Sequence, residues 1–186
     1  MSTEIPSPWV RRFAPLIRAG GHVLDLAAGA GRHTQLLLDM GLDVTAVDRD
    51  IGSLRDLAGT RCELRQIDLE AGDPDDVVAQ LGGEFDGIVV TNYLYRPLLH
   101  PLAAMLAPGG VLIYETFMTG NERFGRPRNP DFLLRPGELL DAFAALTVIA
   151  FEQGEVAQPR PAVIQRIVAV AGPVGRLPQK ARMEIA

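Results

Sequence analysis

Almost from end to end the chain alternates between two patterns. Short apolar runs bounded by glycine, proline or aspartate give way to stretches whose apolar residues recur at helical spacing. Alternation of that kind builds parallel strands joined by helices and argues against a bundle or a β-sandwich. It predicts an entry helix over 8–18, stopped by Gly20-Gly21, and strands over 22–27, 43–47, 62–67, 85–91 and 111–116. Helices over 32–40 and 97–106, a shorter one over 50–58, and one opened by Asp73-Pro74 lie between them. The run 85–91 is apolar almost throughout, as suits a central strand covered on both faces. Pro108-Gly109-Gly110 reads as a sharp turn before the fifth strand.

The pattern then changes. Residues 117–135 are rich in Gly, Asn, Pro and Arg without a period, which reads as a functional lid or a disordered segment. After a last helix over 136–146, the runs 147–152 and 163–171 have no helix between them and should pair antiparallel at the sheet edge. The tail 172–186 reads as loose. The expectation is a single α/β domain over 1–171, with a Rossmann-like doubly wound sheet of seven strands whose last strand is reversed.

Composition narrows the class. With 186 residues, 47% hydrophobic and 22% charged, the chain is long enough for one real core and too apolar for a disordered protein. It has no run of about 18 apolar residues, so no membrane span is expected. Its start lacks a basic stretch before an apolar one, so no secretion signal is expected and a cytoplasmic location is. A net charge of −5 disfavours a nucleic-acid partner, which would be held by many phosphate neutralisations. The lone Cys62 forms no internal disulfide, and His22, His33 and His100 share no ligand spacing, so no metal is expected.

The segment Val23-Leu-Asp-Leu-Ala-Ala-Gly-Ala-Gly31 carries the chemistry, because it sits where a strand hands over to a helix. Glycines there let a ligand approach the backbone, and the helix start beyond offers free N–H groups. Asp25 is costly at a buried strand end unless it is paired or solvated. A pyrophosphate beside it would be repelled and a cationic amine attracted; capping of the turn backbone is the plainer alternative. Thr34 stands where a dinucleotide fingerprint wants its third small residue. Asp48 and Asp68 end the second and third strands, where carboxylates can receive ribose hydroxyls and an adenine amino group. Three acids closing successive strands are hard to obtain from helix caps alone.

From residue 23 to 171 the sequence resembles the class I S-adenosylmethionine-dependent methyltransferases. The resemblance rests on the Asp25–Gly31 loop, Asp48, Asp68, the Leu106-Ala-Pro-Gly-Gly110 turn and the paired final strands. Within that family the small single-domain form is similar to the tellurite-resistance methyltransferase group. The resemblance implies the class I methyltransferase fold, S-adenosylmethionine as cofactor and a small-molecule acceptor, with an anion or a thiol as candidates. It implies that Asp25, Ala27, Ala28, Gly29, Gly31, Asp48, Arg49, Asp68, Leu69 and Asn92 hold the cofactor. Ala27 departs from the family's usual glycine.

On the substrate side, Thr91-Asn92-Tyr93-Leu94-Tyr95-Arg96-Pro97 lacks the Asn-Pro-Pro-Tyr type of motif that grips a flipped-out base. Tyr93 or Tyr95 can face the sulfonium by a cation–π contact or simply pack under the lid. Glu115 reads as a polar group aimed at the crevice. Arg123 and Arg126, in a locally basic lid, suggest oxyanion contacts, with a solvated loop as the alternative. His33 reads as a packing residue. Two other functions remain open: a nicotinamide-dependent oxidoreductase on a similar sheet, and a non-catalytic S-adenosylmethionine-binding module.

Overall fold

The computed structural model describes residues 5–158 and 160–172, so the expected loose tail lies, beyond Gly172, outside the described residues. One seven-stranded sheet carries the fold, in the order β3-β2-β1-β4-β5-β7-β6. β1 (His22–Leu26), β2 (Asp43–Asp48), β3 (Cys62–Gln66), β4 (Phe85–Thr91) and β5 (Leu106–Phe117) are parallel. β7 (Ala162–Val170) lies between β5 and β6 (Thr147–Val156) and runs against both. The final hairpin therefore inserts its last strand inward and leaves β6 at the edge. From β1 the chain first builds outward through β2 and β3, then returns to add β4 on the other side. The crevice at that reversal, beyond the carboxyl ends of β1 and β4, is where open α/β sheets bind ligands.

Strand parity divides the core into two layers. Val23, Val89, Val111 and Ile113 face α1 (Pro8–Phe13) and α2 (Arg32–Asp39). Leu24, Ile88, Leu112 and Tyr114 face α3 (Pro74–Leu81), α4 (Leu99–Ala104) and α5 (Glu138–Ala142). Each fully buried Val, Leu or Ile contributes about 1.5–3 kcal/mol, and β4 is buried from Phe85 to Val90, as its apolar run requires. The same parity fixes the polar residues: Asp25 and Glu115 fall on the α1–α2 side, Thr116 on the other.

Several helices are shorter than the sequence pattern suggests. The expected helix 50–58 is a 3-10 stretch, Gly52–Leu57, because the Asp50 side chain accepts from Gly52 N at 2.8 Å and starts a tighter turn. The expected helix 97–106 begins as a 3-10 turn around Pro97 and ends at Ala104. The anticipated turn 108–110 is carried within an irregular start of β5. There Gly109 N donates to Ala171 O at 2.7 Å and Ala171 N donates to Gly110 O at 2.9 Å. A side chain on Gly110 would meet Phe85 O at 2.7 Å, so the close passage of these backbones needs glycine.

The segment 118–135 is neither structureless nor loose. It forms a strap with 3-10 turns at Asn121–Arg123 and Pro130–Phe132. Buried Asn121 ties it to β7, its Oδ1 accepting from Val163 N at 3.1 Å. Arg96 ties it from the other side, donating to Asp131 O at 2.7 Å and Leu133 O at 2.8 Å while gripping Glu138. Long-range side-chain bonds of this kind leave no periodic trace in sequence.

Candidate functional site

The loop after β1 sits at the reversal point. Ala27 adopts φ 55°, a left-handed conformation that costs a residue with a Cβ about 1–2 kcal/mol. Gly29 (φ 57°) has nothing within 4 Å of where a Cβ would lie, so that face is open, though Gly29 is not among the residues that line the cavities described below. Gly31 (φ 79°) is constrained differently: a Cβ there would meet Leu54 and Leu57 at 2.6 and 2.7 Å. It lets α2 pack closely.

Beneath the loop, Asp25 is 2% exposed, and its Oδ2 accepts the Thr34 hydroxyl at 2.6 Å. Burial pushes its carboxyl up to about 6, against the pull of the Thr34 bonds. Thr34, which spoils the dinucleotide fingerprint, is thus the partner that makes a buried aspartate tolerable. Asp25 does not line the crevice, in contrast to the contact suggested by the resemblance, because parity turns it toward α2.

Two cavities open above the strand ends. The first, about 430 Å³, is lined by Ala27, Asp48, Arg49, Ile67, Asp68, Leu69, Glu70 and Tyr93. Five of the ten expected cofactor residues meet there. Asp48 Oδ2 accepts from Gly29 N at 2.8 Å and Oδ1 from Asp50 N at 3.1 Å, leaving lone pairs for further donors. Asp68 Oδ1 accepts from Glu70 N at 3.1 Å. Ala28 is instead buried, its N–H donating to Val47 O at 2.9 Å, and Gly31 faces the Leu54–Leu57 wall.

The second cavity, about 240 Å³, lies beneath the strap. Glu70, Asn92, Tyr93 and Leu94 form one side, and Thr116, Phe117, Pro127 and Phe132 the other. Tyr93 and Glu70 line both cavities and so mark their junction. The Tyr93 hydroxyl is buried without a well-formed hydrogen bond. Burial first, then the neighbouring Glu70 carboxylate, raise its pKa well above the usual phenol range, so it stays a donor. Asn92, expected among the cofactor residues, lines the second cavity; its φ of 55° suits asparagine.

The remaining substrate-side expectations need correction. Glu115 faces α1 rather than the crevice: it accepts from Ser7 Oγ at 2.8 Å and from Arg166 at 3.1 Å. Arg123 is 62% exposed, bonded to Gly120 O at 3.0 Å and Glu155 at 3.3 Å, and lines neither cavity. Arg126 is exposed and only flanks Pro127. Tyr95 packs against the core beside the 3-10 turn that it precedes. His33 has a structural place. Its Nε2 accepts from Ser7 N at 3.0 Å, Nδ1 lies 3.2 Å from Thr91 Oγ1, and burial, then Arg32, lower its pKa to about 3.

Sequence reasoning missed Glu70, Thr116, Phe117 and Phe132. The parity of β5 about buried Ile113 would have exchanged Glu115 for Thr116. Glu70 carried a weaker signal, an acid two places beyond Asp68.

Known structures share this arrangement of sheet and helices. TehB from Haemophilus influenzae superimposes with a TM-score of 0.71 at 18% identity, over 92% of this chain and 64% of its own. The 1,6-didemethyltoxoflavin-N1-methyltransferase of Burkholderia thailandensis, solved with 1,6-didemethyltoxoflavin and S-adenosylhomocysteine, superimposes at 0.63 with 24% identity, over 89% and 76%. The chain has the class I methyltransferase fold. In sequence it is 28% identical over 110 residues to a ubiquinone biosynthesis O-methyltransferase of Xanthomonas oryzae pv. oryzae, 55% of this chain. The chain spans about half the length of the curated relatives it matches (46%). No family model matches it. Among the described residues no helix is long and apolar enough to cross a membrane, and no cluster of three or more His, Cys, Asp or Glu could hold a metal.

Proposed function

We propose that the chain is an S-adenosylmethionine-dependent methyltransferase acting on a small molecule, with the cofactor in the first cavity and the acceptor in the second. The observation that carries this reading is the junction: an acid-rimmed cleft over the strand ends meets a smaller pocket at Tyr93 and Glu70.

The residues fit that cofactor. Asp48 keeps unused acceptor sites for ribose hydroxyls after binding Gly29 N and Asp50 N. Asp68, at the end of β3, can receive an adenine amino group, and Ile67 and Leu69 offer flat apolar surface. The open face of Gly29 admits the amino-acid end, whose ammonium the buried Asp25 charge favours. When bound, the cofactor supplies an electrophilic methyl group on a sulfonium. The chain's residues need only hold, orient and exclude water, so no general base is assigned.

The acidic net charge of −5 supports a small-molecule acceptor over a nucleic acid. Thermal unfolding checks the reading against the oxidoreductase alternative. S-adenosylhomocysteine at 100 times its dissociation constant should stabilise by about 2.7 kcal/mol while NAD has no effect. The reverse pattern would exclude the proposal.

A further inference from the structure

The second cavity restricts which acceptors can enter. Its walls are mainly rings and aliphatic surface, from Tyr93, Leu94, Phe117, Pro127 and Phe132. Among the described residues its one ionisable carboxylate is Glu70, and no arginine or lysine lines it. Arg123 of the strap is engaged on Glu155 and Gly120 O, and its anchor Arg96 on Glu138 and two carbonyls, while Arg126 and Arg128, exposed on either side of Pro127, are not among the lining residues. An anion placed here would meet a carboxylate and lose its hydration with no side-chain cation of the lining in return.

The Tyr93 hydroxyl points to the complementary chemistry. The Glu70 carboxylate interacts with it without a well-formed hydrogen bond, so a ligand oxygen or nitrogen can offer this buried O–H a better partner. An apolar cavity of about 150 Å³ already admits a benzene ring; about 240 Å³ leaves room for one substituted ring. Resting on the assignment of the first cavity to the cofactor, we infer that the methyl acceptor is an uncharged single-ring compound whose oxygen or nitrogen takes the Tyr93 hydrogen bond. The same lining disfavours an oxyanion such as tellurite.

Matched probes test this. The protein is saturated with S-adenosylhomocysteine and titrated calorimetrically with 4-hydroxybenzamide, 4-hydroxybenzoate and tellurite. The uncharged amide should bind at least about tenfold more tightly than the carboxylate, with no heat from tellurite. Tyr93→Phe should weaken the amide by about tenfold, and Glu70→Gln should narrow the gap between the two ring compounds. Arg126→Ala should leave that gap unchanged. If S-adenosylhomocysteine itself fails to bind, the reading of the first cavity is what fails. If it binds but the carboxylate or tellurite matches the amide, or neither ring compound binds, the acceptor inference alone is overturned.

Discussion

The two cavities share Tyr93 and Glu70 yet are built on opposite plans. The first takes its polar groups from residues at or just beyond strand ends, each held by backbone N–H groups a few positions away or on the next loop. The second is closed by a strap that reaches it only through distant anchors: Arg96, Asn121 and the paired strand β7. The difference matches the two tasks proposed for them: a rim fixed to the sheet is rigid by construction, whereas a wall hung on side chains can change shape without disturbing the rim.

Cutting the strap's anchor tests that separation most severely. Glu138 is 6% exposed; burial would raise its carboxyl, but hydrogen bonds from Arg96 and from Arg135 N hold it below the usual carboxylate range. Arg96→Ala leaves that carboxylate only the Arg135 N–H and guanidinium and should lower stability by about 3 kcal/mol in urea unfolding. Protease cleavage within 118–135 should rise at the same time. Unchanged cleavage would mean that the strap is held by something else.

On the rim side, Asp25 supplies a pH test of similar size. Its folded carboxyl, raised to about 6, binds a proton more readily than in the unfolded chain. Asp25 therefore makes stability fall as pH rises from about 4 to about 6, by on the order of 3 kcal/mol. His33 has the opposite slope. Its folded pKa, lowered to about 3, gives stability that is full above about pH 6.5 and is lost as pH falls toward 3. Subtracting the Asp25→Asn profile from that of the unaltered protein isolates the aspartate. The difference should favour the unaltered protein most at pH 4, and a flat difference would show that Asp25 is not perturbed by burial.

How much of this was legible in sequence follows from the same contrast. The glycine loop, Asp48 and Asp68 could be read because each is set by its position at a strand end. The order of elements and the reversed β7 could be read from apolar spacing and from a missing helix. The strap could not. Its order comes from Arg96 and Asn121, whose partners lie as far as 42 residues away, and low periodicity looks the same for a pinned loop and a free one. Glu115 was misplaced for a subtler reason: position along β5 was read without parity. Its neighbours Tyr114 and Thr116 face one layer, and Glu115 the other.

Smaller changes sharpen the comparison. Ala27→Gly removes the left-handed strain in the rim and should stabilise the protein by about 1 kcal/mol in urea. Destabilisation would show that the methyl group packs usefully. Arg123→Ala, on the strap, breaks only exposed contacts, to Glu155, Gly120 O and the Phe124 ring, and should cost less than about 1 kcal/mol. It should also leave acceptor affinity unchanged, since Arg123 lines neither cavity; a tenfold loss in calorimetric acceptor affinity would restore an anion-binding strap.

The most direct measurement is calorimetric titration of Asp48→Asn with S-adenosylhomocysteine beside the unaltered protein. Removing a charged acceptor of ribose hydroxyls should cost about 2 kcal/mol, roughly a thirtyfold loss of affinity, with little change in acceptor discrimination. Equal affinity in the two proteins would place the nucleoside elsewhere and contradict the account.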